Sequence, residues 1–149
     1  MSTTRTLVIA LLGAYSVLLS YSGAWAWQAN INSGWASAVV VDTAGNVIAA
    51  GSTNNGTGSA FTVIKYKGVT GREIWRRVIN GTVADSYNSA NAVTVDGAGN
   101  VVAAGVTNSG CADSCDFSVG DLTVIKFSGA DGTELWRAGI NGSAANSNN

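Results

Sequence analysis

The sequence predicts an all-β protein, and three observations predict it. With 19 Gly, no Pro and many Val, Thr, Asn and Ser among its 149 residues, the chain suits short strands joined by tight turns. The stretch from Val39 to Gly51, VVVDTAGNVIAAG, returns almost letter for letter from Val93 to Gly105 as VTVDGAGNVVAAG. The segments C-terminal to each copy repeat as well: FTVIKY at 61–66 against LTVIKF at 122–127, then GREIWR at 71–76 against GTELWR at 132–137. Each copy holds four candidate strands, so two four-stranded antiparallel units are expected.

Taken in order, the chain begins with a leader. Arg5 is the only charge before an apolar run from Leu7 to Leu19, and Ser-Gly-Ala-Trp-Ala comes next. A basic start, an apolar middle and a small-x-small site are the plan of a signal peptide. The expected segment is 1–26, helical before cleavage and cut after Ala26, with a cut after Ala24 as the other site. The run is short for a membrane span of ~20 residues, so no membrane association is expected after cleavage. The mature chain is expected to be secreted, periplasmic or at the cell surface.

Next comes WQANIN at 27–32, whose Trp-x-x-x-Ile-Asn pattern recurs at 75–80 and 136–141. It reads as a leading copy of the fourth strand. The first full unit, 38–79, has expected strands at 38–42, 46–52, 61–67 and 72–79. The second unit, 92–140, has them at 92–96, 100–107, 122–127 and 133–140, and a tail at 141–149 runs toward a next repeat. The three Trp residues at 27, 75 and 136 are 48 and 61 residues apart. Periods near 40–50 residues with four short strands apiece are the signature of β-propeller blades. Val39-Val-Val41 and Val47-Ile-Ala-Ala50 are apolar on both faces, as strands are when their sheet is covered on both sides. The expected fold is therefore two four-stranded antiparallel β-propeller blades, an incomplete propeller, behind the helical leader. Because such arrays must close, the chain is read as the N-terminal part of a longer repeat protein, or one that completes its ring by homo-oligomerisation.

Each turn between the first two strands carries Asp42 or Asp96 to accept backbone N–H groups, and Gly45 or Gly99 to supply positive φ. The turns on that rim match in length between copies. The loops on the opposite rim differ, 52–60 against 108–120 and 32–37 against 81–91. Variable loops on a constant scaffold are where binding usually lives, although solvated loops also drift neutrally. Trp35, Asn54 and Asn55 on that rim, with Asp113 and Asp116, are the candidate binding residues for a sugar or peptide. The spacing of Asp113, Asp116 and Asp121 fits no Ca²⁺ loop such as the EF-hand, so no metal is expected. Cys111 and Cys115 share one loop, and in an oxidising compartment a local disulfide is the default reading. Trp27, Trp75 and Trp136 recur once per unit and read as packing residues. Lys65/Lys126 and Asp42/Asp96 recur too and read as structural ion pairs or turn anchors rather than an active site.

Composition excludes several chemistries. The chain has no His, which removes the commonest general base and a frequent metal ligand. Net charge is −1, and Arg76-Arg77 is its only basic pair, so no nucleic-acid partner is expected. Glu73 and Glu134 occupy equivalent turns rather than facing each other, which leaves glycosidase chemistry without support. No catalytic residue and no cofactor are expected.

The pattern A-V-x-V-D-x-x-G-N-V-x-x-x-G, then T-V-I-K-[YF], then G-x-E-x-W resembles the bacterial seven-bladed β-propeller repeat family. Its second half, Thr70-Gly71 to Trp75 and Asp131-Gly132 to Trp136, is also similar to quinoprotein-type propeller repeats. The resemblance covers essentially all of the mature chain and implies exported proteins built as circular arrays, with no single activity. The function expected is an exported, non-catalytic β-propeller module that binds a protein or glycan ligand. The alternatives are part of a quinone-dependent dehydrogenase propeller and a purely structural segment of a surface protein.

Overall fold

The computed structural model describes residues 26–83, 85–109 and 120–141. The leader with its expected helix, Cys111, Cys115, Asp113, Asp116 and residues 142–149 of the tail lie outside the described residues. Among the described residues the chain is all-β, with eight strands and no helix. The strands are β1 (Gly34–Val41), β2 (Val47–Asn54), β3 (Ser59–Tyr66), β4 (Glu73–Ile79), β5 (Tyr87–Val95), β6 (Val101–Ser109), β7 (Asp121–Phe127) and β8 (Glu134–Ile140). They form two antiparallel four-stranded sheets, each in sequence order, β1-β2-β3-β4 and β5-β6-β7-β8.

Local chemistry fixes the hairpins. The Asp42 carboxylate accepts the backbone N–H groups of Ala44 and Asn46 at 2.9 and 2.8 Å, and Gly45 turns the chain at φ 75°. Asp96 repeats this with Ala98 and Asn100, both at 2.9 Å, around Gly99 at φ 82°. An aspartate that caps its own turn, with a residue free of Cβ strain after it, leaves the next strand little choice of register.

Register then sorts side chains by face. In the first sheet Val40, Ile48, Lys65 and Trp75 lie in line across the strands, beside Ala50, Val63 and Arg77. In the second, Val95, Val101 and Phe127 align beside Val93, Ala103 and Ile125. These two faces meet to form the core of Ile48, Ala50, Phe61, Val63 and Trp75 against Ala90, Val101, Ala103, Ile125 and Phe127. The contact runs mainly through β5, which lies against β1, β2 and β3.

Identical sequence meets different surroundings in the two sheets. Thr-Val-Ile-Lys occurs in both β3 and β7, yet β3 is buried at every residue from 60 to 66 while β7 alternates between buried and partly open. Phe61 is 0% exposed and its counterpart Leu122 is 55% exposed. The β2–β3 centre of the first sheet is covered on both faces, by the second sheet and by residues 26–31, whereas Val39 and Val41 on β1, expected to be covered, are 66% and 59% exposed. Among the described residues the second sheet is covered on one face only.

One expectation is corrected. Residues 27–32 pair with no strand, so the leading fourth strand is absent as a strand. A lone segment lying on a sheet face has no neighbouring edge to complete a ladder. It is held by its tryptophan instead.

Candidate functional site

Trp27 and Trp75 make the same contact in two places. The Trp75 indole Nε1–H donates to the Gly129 carbonyl at 3.3 Å, and its ring lies on Gly132 so closely that a Cβ there would fall 2.7 Å from it. Trp27 donates to the Gly68 carbonyl and lies on Gly71 in the same manner. Each ring is tilted by 42° against an aromatic of the receiving sheet, Trp27 with Tyr66 at 6.0 Å and Trp75 with Phe127 at 6.2 Å. Trp75 therefore packs between the two sheets and Trp27 onto the outer face of the first, each into a Gly-x-x-Gly turn. Trp136 holds the same register on β8 as Trp75 on β4 but is 46% exposed, against 6% for Trp75.

Charged groups reinforce the joint. Lys65 Nζ reaches both the Asp42 carboxylate at 2.9 Å and the Gly129 carbonyl at 2.7 Å. Arg77 donates to the Gly132 and Asp131 carbonyls at 2.6 and 3.0 Å. Arg76 pairs with Glu73 at 2.7 Å, so both members of the basic pair are engaged within the fold.

The rim of unequal loops is tied together by asparagines. Asn88 is fully buried and donates to the Ser59 carbonyl at 2.6 Å and to Ser86, while its side-chain carbonyl accepts the Asn108 backbone N–H at 2.8 Å. Asn108, at φ 58°, accepts from the Thr82 N–H at 2.6 Å and donates to Asp121 at 2.7 Å. Of the candidate residues, Asn54 accepts the Gly56 N–H, and Asn55 accepts those of Thr57 and Gly58 while donating to Asn80. Their side-chain oxygens brace the loop. Sequence reasoning misses Asn88 and Asn108; the pairs Thr53-Asn54 and Thr107-Asn108, at matching strand ends, are the signal that points to Asn108.

Trp35 stands apart from this network. It lies on β1 opposite Ser52, is 76% exposed, and helps line a cavity of about 320 Å³ between residues 27–31 and the outer face of the first sheet. Trp27, Asn30, Ser52, Thr53, Thr62 and Tyr66 also line it.

The four carboxylates whose pKa departs from the ordinary value are all shifted downward. Burial by itself raises the Asp42 pKa, but hydrogen bonds from Lys65 and Asn46 prevail and hold it at about 2. Lys126 and the Asn100 backbone hold Asp96 at about 2, and the Thr133 N–H and Ser128 do so for Asp131. The hydrogen bond from Arg137 lowers Glu134. A general acid at neutral pH needs its carboxyl shifted upward, the opposite direction. Among the described residues no group of three or more Cys, Asp or Glu converges as a metal site, and no helix is long and apolar enough to cross a membrane.

No protein-family model, curated protein or solved structure matches the chain.

Proposed function

We propose that this chain is an exported, non-catalytic β-propeller module that binds a protein or glycan ligand at the rim of unequal loops. Its two sheets act as blades, completed by further blades in the same chain or by homo-oligomerisation. Repetition supports the scaffold half of the reading, because Trp27 and Trp75 dock into successive Gly-x-x-Gly turns through the same hydrogen bond and the same aromatic tilt.

The binding half is carried by Trp35. In the second sheet the equivalent register position, opposite Val106, is Ser89. The fold therefore has no need of a tryptophan there, and its indole stands 76% exposed on the rim of unequal loops. Aromatic side chains of this kind dominate the energetics of recognition sites.

The test is a titration of the full chain with cell-wall glycan fragments and with unstructured peptides, read by tryptophan fluorescence and calorimetry. Binding by one class, weakened at least about tenfold by Trp35→Ala (about 1.4 kcal/mol), is the expected result. No binding by either class at millimolar ligand, or binding indifferent to Trp35→Ala, would overturn it.

A further inference from the structure

We infer that the outer face of the second sheet is an assembly surface, and that its occupant is the first sheet of a second copy of this chain. The inference rests on the proposed stacking of blades and adds the partner and the contact.

The joint between the two sheets has a knob side and a socket side. The knob side is the face of the first sheet that carries Ile48, Phe61, Val63, Lys65 and Trp75. The second sheet carries the same set in the same register, as Val102, Leu122, Val124, Lys126 and Trp136, on its outer face. There Leu122, Trp136 and Ile140 are exposed. The socket side is Val101, Ala103, Ile125 and Phe127 with the Gly129–Gly132 turn. The first sheet repeats it on its own outer face as Val47, Ala49, Ile64 and Tyr66 with the Gly68–Gly71 turn. Among the described residues, the two sheets thus present an open knob at one face and a matching socket at the other. A contact between two such different faces is head-to-tail and propagates into a ring or a filament.

Within one chain the socket is held by Trp27, which fills the indole seat but brings only residues 26–31 and no strand ladder. It leaves the cavity of about 320 Å³ beside it. Trp136 of a second copy would bring a whole sheet to the same seat, and Lys126 would gain the Gly68 carbonyl as Lys65 gains that of Gly129. Trp27 is therefore a plug that competes with Trp136 of the second copy. A plug lowers apparent affinity by the fraction of time the socket is filled.

Sedimentation velocity of the full chain, from low micromolar to submillimolar concentrations, tests this together with Trp27→Ala and Trp136→Glu. The wild type is expected to associate with rising concentration. Trp27→Ala should tighten association about tenfold, and Trp136→Glu should abolish it in either background. A photo-crosslinking residue at position 136 should capture residues 68–71 of a second copy. Monomeric Trp27→Ala at submillimolar concentration, or association untouched by Trp136→Glu, overturns the inference. The Trp75–Gly132 contact, read by NMR on the same samples, separates the two failures. If it persists without association, only the second-copy inference falls; if it is missing, the stacking of blades falls as well.

Discussion

Trp75 and Trp136 are the same residue at the same register in the two sheets, and their surroundings differ by one covering sheet. Trp75 is 6% exposed, lies on Gly132, tilts against Phe127 and donates to the Gly129 carbonyl. Its replacement by alanine removes the central knob of the joint and leaves a cavity that two sheet backbones cannot easily close. Large-to-small changes of this kind cost about 3–5 kcal/mol. A domain's whole stability is only about 5–15 kcal/mol, so the variant would be marginal at room temperature. Trp75→Phe removes the hydrogen bond and part of the ring, so its loss should fall between about 1 kcal/mol and that of Trp75→Ala. Trp136 is 46% exposed, so Trp136→Ala opens no closed cavity and should cost about 1 kcal/mol or less. Guanidinium unfolding read by far-UV circular dichroism at low micromolar protein, where association is negligible, gives the three values. Equal losses for Trp75→Ala and Trp136→Ala would refute the reasoning, because they would mean that the two rings are equally packed.

The remaining predictions use the same pairing of equivalent positions. Gly45 and Gly132 both sit at positive φ, 75° and 74°, but a Cβ meets nothing within 4 Å at Gly45 and meets Trp75 at Gly132. Gly45→Ala should therefore cost only backbone strain of about 1–2 kcal/mol, and Gly132→Ala roughly another 1–3 kcal/mol, as read by thermal unfolding. Lys65→Met removes a buried ion pair and one of two donors to the Gly129 carbonyl, a loss of about 3 kcal/mol, whereas the more open Lys126–Asp96 pair should lose about 1 kcal/mol or less in Lys126→Met. Asp42, Asp96 and Asp131 are held at about 2 in the folded protein, below their ordinary 3.8. The unfolded chain then takes up protons first as pH falls, so their contribution is complete above about pH 4–5 and is lost as pH drops through about 2. Urea midpoints should be flat from neutral pH to about 5 and fall steeply below about 4, with a shallower fall in Asp42→Asn.

Repeat, turn and strand identity are readable in the sequence because each rests on local chemistry. The Asp-x-x-Gly-Asn hairpins behave as their residue types require. Strand starts are less readable. β1 begins at Gly34 rather than at 38, and β5 at Tyr87 rather than at 92, because the polar residues there are paired by backbone alone. A bulge between Ala36 and Ala38, and its copy between Ala90 and Ala92, carries the ladder past the apolar run. Gly51 and Gly105 permit this close approach, since a Cβ on either would collide with the Trp35 or Ser89 carbonyl. At the candidate site, Trp35 is legible as an aromatic with no partner in the repeat. The Asn88–Asn108 network is not, because it depends on how the ends of β5 and β6 meet each other and Ser59 of the other sheet. Residues 27–32 share the fourth-strand pattern with 75–80 and 136–141 but not its ladder. A sequence pattern records what a strand presents to its neighbours, while pairing depends on whether a neighbour is there.

The claim on which the rest depends is that the sheets stack by seating a tryptophan of one in the glycine turn of the other. Proton NMR reads it directly, since a ring lying on Gly132 shields that residue's α-protons and brings them within nuclear Overhauser range of the Trp75 indole. The account predicts upfield-shifted α-protons at Gly132 and at Gly71, with cross-peaks to Trp75 and Trp27 respectively. Random-coil shifts at both glycines, with the indole cross-peaks confined to each tryptophan's own strand neighbours, would contradict it.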